Sequence, residues 1–173
     1  MEHDSIKCCI EATALSIGYK QGVNAIPLLE DLNLSIRPGQ LICFMGPNGI
    51  GNSTLIRTLS GLQKPLSGNI SYGNLPSASR ADLPKHLAVV LTDRITAVNM
   101  KVLDIVTFGR YPFLSWDVKL SSRDNVIIDR ALSQFQIHHL ASKRIHELSD
   151  GQLQMVMIAR AVVQDTPAIL LDE

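Results

Sequence analysis

Apolar and polar positions alternate with period two from Ile10 to Ile17 and again over Leu32-Asn33-Leu34-Ser35-Ile36-Arg37, the pattern of strands with one wet face. Pro38-Gly39 marks a turn. The run Leu41-Ile42-Cys43-Phe44-Met45 is apolar throughout and predicts a strand buried on both faces of a parallel sheet, with Cys43 as an inert buried thiol. Beyond Thr54, Leu55, Ile56, Leu59 and Leu62 fall at helical spacing, and Gly61 suits a left-handed C-terminal cap. Gly68 to Gly73 reads as a short strand, Pro76 to Pro84 as a loop or short helix, and Leu87–Leu91 as a second buried strand. From about residue 100 to 147 the pattern turns helical. Ser121-Ser122-Arg123-Asp124 resembles a helix start, and Ile127, Ile128, Ala131, Leu132 and Phe135 form one apolar stripe. Last come an apolar helix, Leu153 to Val163, and a buried-strand run, Ala168-Ile169-Leu170-Leu171, ending in Asp172-Glu173.

Composition narrows the class. With 173 residues and 46% hydrophobic content there is material for one α/β domain, which buries roughly 70% of its unfolded surface. Basic and acidic residues balance at 16 each, so nothing in the net charge argues for a polyanionic partner or a strongly charged membrane surface, and no nucleic acid is expected. No window offers about 18 uninterrupted apolar residues for a membrane span, and MEHDSIKCCIEA lacks a signal-type apolar core. Three cysteines, two adjacent at Cys8 and Cys9, give no disulfide framework and suit a reducing compartment.

The chemistry is concentrated at three places. Gly46-Pro47-Asn48-Gly49-Ile50-Gly51-Asn52-Ser53-Thr54 differs by one residue from the phosphate-binding pattern G-x-x-x-x-G-K-[ST], with Asn52 where lysine is expected. Between an apolar run and a helix, such a loop turns backbone amides and a helix N-terminus toward an anion, and the Ser53 hydroxyl can reach Mg²⁺. Ser149, in Leu148-Ser149-Asp150-Gly151-Gln152, is placed to cap the apolar helix that follows, and this helix start with serine and glycine reads as another anion site. Asp172 and Glu173 at the tip of a strand can hold Mg²⁺ through one carboxylate and orient or deprotonate a water through the other. Tyr19 is either a core or rim aromatic or a ring for base stacking. His138, His139 and His146 read as helix-end histidines, since no carboxylate or cysteine joins them at ligand spacing. Trp116 reads as a packing residue or as part of an aromatic docking loop.

With these motifs in order, nearly the whole chain resembles the front part of an ABC-type ATPase subunit: 46–54 resembles Walker A, LSDGQ at 148–152 the LSGGQ signature with Asp150 in place of its first glycine, and AILLDE at 168–173 Walker B. The resemblance implies a P-loop NTPase (RecA-like) α/β core with an antiparallel β subdomain and a helical insertion, the C-terminal part of the fold being absent. Within a single nucleotide-binding domain over 1–173, it places the β subdomain and Walker A core at 1–99, the helical subdomain at 100–147, and the signature and Walker B at 148–173. ATP and Mg²⁺ are the implied cofactors. Gly46, Pro47, Asn48, Gly49, Gly51, Asn52, Ser53 and Thr54 would bind ATP, with Thr54 on a phosphate oxygen and Tyr19 stacking on adenine. Ser53 and Asp172 would hold the metal and Glu173 would polarise the attacking water. Leu148, Ser149, Asp150, Gly151 and Gln152 would face the ATP of a second subunit, implying a head-to-tail homodimer.

The segments LSIGY at 15–19, GLQKPLSGNI at 61–70, VVLTDR at 89–94 and FGRYPF at 108–113 are similar to ATPase subunits of importers for iron–siderophore, haem or cobalamin complexes. That subfamily implies a cytoplasmic subunit on the inner face of the cell membrane. It binds transmembrane permease subunits, with Val102 to Trp116 facing them, and a periplasmic or surface substrate-binding protein takes part only indirectly. Three departures bear on activity. Asn52 removes the cation at the outer phosphates, and losing one comparable transition-state donor costs on the order of 10² to 10³ in rate. Thr92 stands where the family has a glutamine linking metal, water and permease. The chain stops before the family's dimer loop and switch histidine, and before the strand expected between Leu41–Met45 and Ala168–Asp172, which would leave those two strands without a shared neighbour and their backbone groups unpaired. The leading expectation is the ATP-binding subunit of an importer; the alternative is a nucleotide-binding but hydrolysis-impaired subunit or a non-functional fragment.

Overall fold

The computed structural model describes residues 9–22, 24–73, 75, 80–91 and 99–172. The chain divides into two compact units, one running to Leu87 and including the chain from Leu170 on, the other Ala88–Ile169.

In the first unit β1 (Ile10–Gln21) and β2 (Asn24–Ile36) form a long antiparallel hairpin, and β3 (Ser67–Ser71) pairs with the other edge of β1, giving the order β2-β1-β3. Ile10, Ala12, Leu15 and Ile17 are all buried although their spacing breaks strict alternation between 12 and 15. A register shift lies between Ala12 and Leu15, and Ala14 there takes φ +46°. The extra residue of this bulge resets the parity, so one face of β1 stays apolar along its length. Asn33 Oδ1 accepts from the displaced Ala14 N–H at 2.9 Å. α1 (Asn52–Leu59) packs on β1 with Leu55, Ile56 and Leu59 buried, and Gly61 follows its end at φ +74°, as its spacing predicts.

Two expectations need correction. Leu41–Met45 is not a buried strand: it has no assigned secondary structure, Leu41 is 99% and Met45 87% exposed, and the Cys43 thiol is exposed rather than buried. A strand exists only through a ladder of backbone partners, and among the described residues none pairs with this segment. Apolar composition therefore does not suffice to bury it. Likewise β5 (Ala168–Leu171) forms, but Ile169 and Leu171 stand open while Leu170 is buried. β5 and β4 (Leu87–Val90) make a separate two-stranded sheet.

The second unit is helical, as the pattern predicts. α2 (Val102–Thr107), a 3₁₀ segment over Phe108–Phe113, α3 (Ser122–Gln134) and α4 (Asp150–Val163) enclose a core that includes Val102, Val106, Ile128, Leu132, Leu140, Val156 and Val163. Ile127 and Phe135 of the predicted stripe pack at its margin. A buried ion pair ties this unit together. Arg110 Nε donates to Asp124 Oδ1 at 2.7 Å, Arg110 Nη1 donates to the Val163 carbonyl at 3.0 Å, and the guanidinium lies 4.3 Å from the Phe113 ring centroid. Trp116 is 95% exposed, which sets aside its reading as a packing residue.

Candidate functional site

The glycine loop ends in a helix start that nothing in its own side chains closes. Gly51 is the N-cap of α1 with φ +113° and ψ 14°, a conformation that L side chains rarely adopt, and among the described residues no side chain caps the first turn. The first turn also carries no acidic residue. The leading amides of α1 are therefore left to water or to an incoming anion, with the helix dipole favouring negative charge. Upstream, Ile50 N–H donates to the Pro47 carbonyl at 3.2 Å, closing a tight turn. Gly46, Pro47, Asn48 and Gly49 are exposed, Gly51 is buried and Asn52 half-buried.

Each of the next two hydroxyls meets a distant residue. Ser53 Oγ donates to Asp172 Oδ1 at 2.9 Å across 119 positions of sequence. Thr54 is buried, and its Oγ1 lies 2.9 Å from the hydroxyl of Tyr19, whose side chain is about half exposed. The first contact brings together the two residues expected to share Mg²⁺. Hydroxyl and carboxylate are hard oxygen donors of the kind Mg²⁺ takes, and an uncapped helix start beside them suits the phosphates that usually complete its shell, so these residues fit both groups. What the site lacks is a cation at Asn52. The expected positions Thr92 and Glu173 lie outside the described residues.

The second motif is not the open anion site that its serine and glycine suggest, because its own side chains close it. Ser149 is the N-cap of α4: its Oγ accepts from Gln152 N–H at 3.3 Å, and Gln152 Oε1 accepts from Ser149 N–H at 3.1 Å, a complete capping box. Leu148 packs against the helical core, and Asp150 and Gly151 are exposed. A methyl group added at Gly151 would meet nothing within 4 Å. The histidines show no metal geometry: His138 Nε2 is 3.1 Å from Ser133 Oγ and 3.2 Å from Asp129 Oδ1, and among the described residues no three His, Cys, Asp or Glu side chains gather at ligand distance.

Sequence reading missed two residues that shape these units. Gln63 Nε2 donates to the Gly18 carbonyl at 2.6 Å, bracing the strand that carries Tyr19, and nothing local in the sequence marks it. Arg110 holds Asp124, for which the Ser121-x-x-Asp124 spacing gave only the helix start.

Comparison with known proteins gives the family. A family profile described as ABC transporter matches residues 29–173. The chain is 37% identical over 161 residues to an uncharacterised ABC transporter ATP-binding protein of Methanocaldococcus jannaschii, covering 92% of this chain and 54% of that protein. It is 34% identical to the iron(3+)-hydroxamate import ATP-binding protein of Bacillus subtilis, covering 92% of this chain and 58% of the relative. The chain thus spans a little over half the length of these curated relatives. Among solved structures, a dimeric ATP-binding cassette in a post-hydrolysis state bound to ADP and Pi superposes with a TM-score of 0.79 at 25% identity, over 95% of this chain and 73% of that one.

Proposed function

The chain belongs to the ABC transporter family and has its α/β P-loop fold, and we propose from this that it is the ATP-binding part of an importer's ATPase subunit. The observation that carries the proposal is the open start of α1 with Ser53 and Asp172 in contact beside it. In this reading the amides of the loop and of α1 hold the phosphates, and Thr54 adds a hydroxyl to them. Ser53 and Asp172 are the Mg²⁺ partners, and Mg²⁺ when bound offsets charge on the phosphates. Tyr19 offers its ring to the base, Glu173 is the base that draws a proton from the attacking water, and Thr92 contributes a hydroxyl beside the metal. Residues 148–152 face the nucleotide of a second copy in a head-to-tail dimer. The two units are parts of one nucleotide-binding domain.

The importer reading, with an iron–siderophore, haem or cobalamin-type cargo, is supported by the similarity to the iron(3+)-hydroxamate import protein. The cargo passes through permease subunits at the inner face of the membrane and through a separate binding protein, without touching this chain. Among the described residues no helix is long and apolar enough to cross a membrane. Asn52 supports a second reading, a subunit that binds nucleotide but turns it over slowly, because the outer phosphates lose a charge-assisted donor. A Mg²⁺–ATP titration of this chain beside Asn52→Lys, with circular dichroism on both, tests the two together. Saturable binding tightened by lysine supports the site. Two folded proteins that both fail to bind ATP would remove it.

A further inference from the structure

Tyr19 is held at both ends, and this has a functional meaning that a generic aromatic would not carry. At its root, the pairing with β2 is irregular immediately before it: register shifts fall between Leu15 and Ile17 and between Ile17 and Gly18, where β2 contributes the extra residues. The bulged strand here is β2, which bends against a β1 that runs without an extra residue through Gly18 to Tyr19. Gly18 is pressed against the opposite strand so closely that a Cβ would stand 2.1 Å from the Ile26 carbonyl oxygen, and its own carbonyl accepts from Gln63 Nε2 at 2.6 Å. At its tip, the phenol hydroxyl meets the buried Thr54 hydroxyl at 2.9 Å, at the first turn of the helix that follows the glycine loop. Between these anchors the side chain remains about half exposed.

We propose that the Tyr19 hydroxyl is a positioning group that pins the ring against Thr54, so that the phenol face is preorganised to stack on the base of a nucleotide whose phosphates lie on α1. This rests on the nucleotide-site reading above. A tyrosine ring free to turn about its two side-chain torsions loses that freedom when a base stacks on it; a ring already anchored has less to lose. The hydroxyl therefore acts on base recognition through ring orientation. The phosphates are held by amides and by Thr54 itself, whose hydroxyl keeps donor and acceptor capacity beyond one bond to Tyr19.

The test separates base from phosphate. Mg²⁺–ATP and Mg²⁺–tripolyphosphate are titrated by calorimetry into the unchanged chain, Tyr19→Phe and Gln63→Ala, each also in an Asn52→Lys background, with melting curves for every protein. Loss of one anchoring hydrogen bond is expected to weaken ATP about fivefold in Tyr19→Phe. Gln63→Ala, which frees the root, should weaken ATP in the same sense, and tripolyphosphate should bind equally to all three. Unchanged ATP affinity in Tyr19→Phe overturns the proposal. Equal weakening of ATP and tripolyphosphate also overturns it, because the hydroxyl would then serve Thr54 and the phosphates rather than the ring. If neither compound binds in either background while the proteins are folded, the nucleotide-site reading itself falls, and the positioning role with it.

Discussion

Two helices in this chain begin with a serine and a glycine in the first positions, and they begin differently. At α1 the glycine is the N-cap and the serine sits inside the first turn, where its side chain cannot bend back to cap the amides; Ser53 turns away and meets Asp172. At α4 the serine is the N-cap, and Ser149 closes the turn together with Gln152. Asp150 in that first turn adds a negative charge that already answers the helix dipole. The same residue types give an open anion site in one place and a self-satisfied helix start in the other. Position relative to the cap decides which: the first start is left open, and the second is closed by its own chain.

The largest effect is expected where the open start is incomplete. Asn52→Lys supplies a cation at the first residue of α1 and should raise any ATP hydrolysis by on the order of 10² to 10³, the scale of one transition-state donor. Phosphate release assays on both proteins measure it. An equal rate in both would mean that the deficit of this site lies elsewhere.

α3 extends the comparison, since it is capped like α4 but inside the protein. Ser121 Oγ and N–H both donate to Asp124 Oδ2, at 2.6 and 2.9 Å, while Arg110 holds Oδ1. The Ser121 hydroxyl bond, with lesser help from its N–H and from Arg110, outweighs the opposing effect of burial and lowers the Asp124 pKa from 3.8 to about 2. A carboxyl whose folded pKa is depressed adds stability above its unfolded pKa and loses it as pH falls toward the folded value. The contribution is therefore complete above about pH 4 and fades between 4 and 2. Asp124→Asn leaves Arg110 without its counter-charge and should cost about 3 kcal/mol at neutral pH in urea unfolding. Its stability should also lose less than the unchanged chain's between pH 4 and 2; parallel acid curves would show that Asp124 is not the titrating group.

These helix starts were legible in the sequence because capping is local chemistry, settled within four residues. Ser121, Asp124, Ser149 and Gly61 all sit where spacing puts them. Non-local pairing was legible only in part: the lack of a neighbour for Leu41–Met45 was expected, its exposure was not. Leu41–Met45 has strand composition but no partner among the described residues, so exposure replaced the expected burial. The parity reset at Ala14 depends on how β2 lies against β1, and Arg110 gains its meaning only when Asp124, 14 residues on, folds back to it. At the candidate site, the glycine loop and the Ser53–Asp172 pair followed from motif order. The Tyr19–Thr54 bond did not, since 35 residues separate two hydroxyls that no pattern links.

A smaller effect separates the two serines. Ser149→Ala removes an N-cap and should cost about 1 kcal/mol in urea unfolding. Ser53→Ala removes an exposed hydroxyl that caps nothing, and its stability should change by less than about 0.5 kcal/mol. Mg²⁺ dependence of ATP binding should show the reverse order, falling for Ser53→Ala and not for Ser149→Ala. If Ser53→Ala destabilises as much as Ser149→Ala, the distinction between open and closed helix starts fails.

The smallest change in stability is expected at Gly151, where it carries the most information. This glycine lies in the first turn of α4 without a positive φ, and an added methyl would touch nothing within 4 Å. Alanine there removes backbone freedom from the unfolded chain and should stabilise the fold by up to about 0.5 kcal/mol. Nothing among the described residues therefore requires glycine at 151. A second molecule and its nucleotide pressing against α4 would require it, since close approach is the remaining reason to omit a side chain. Gly151→Ala should then lower ATP-dependent self-association in light scattering while leaving the ATP affinity of the single chain unchanged, because α1 is untouched. Undiminished self-association in this variant would mean that the α4 start serves its own helix alone.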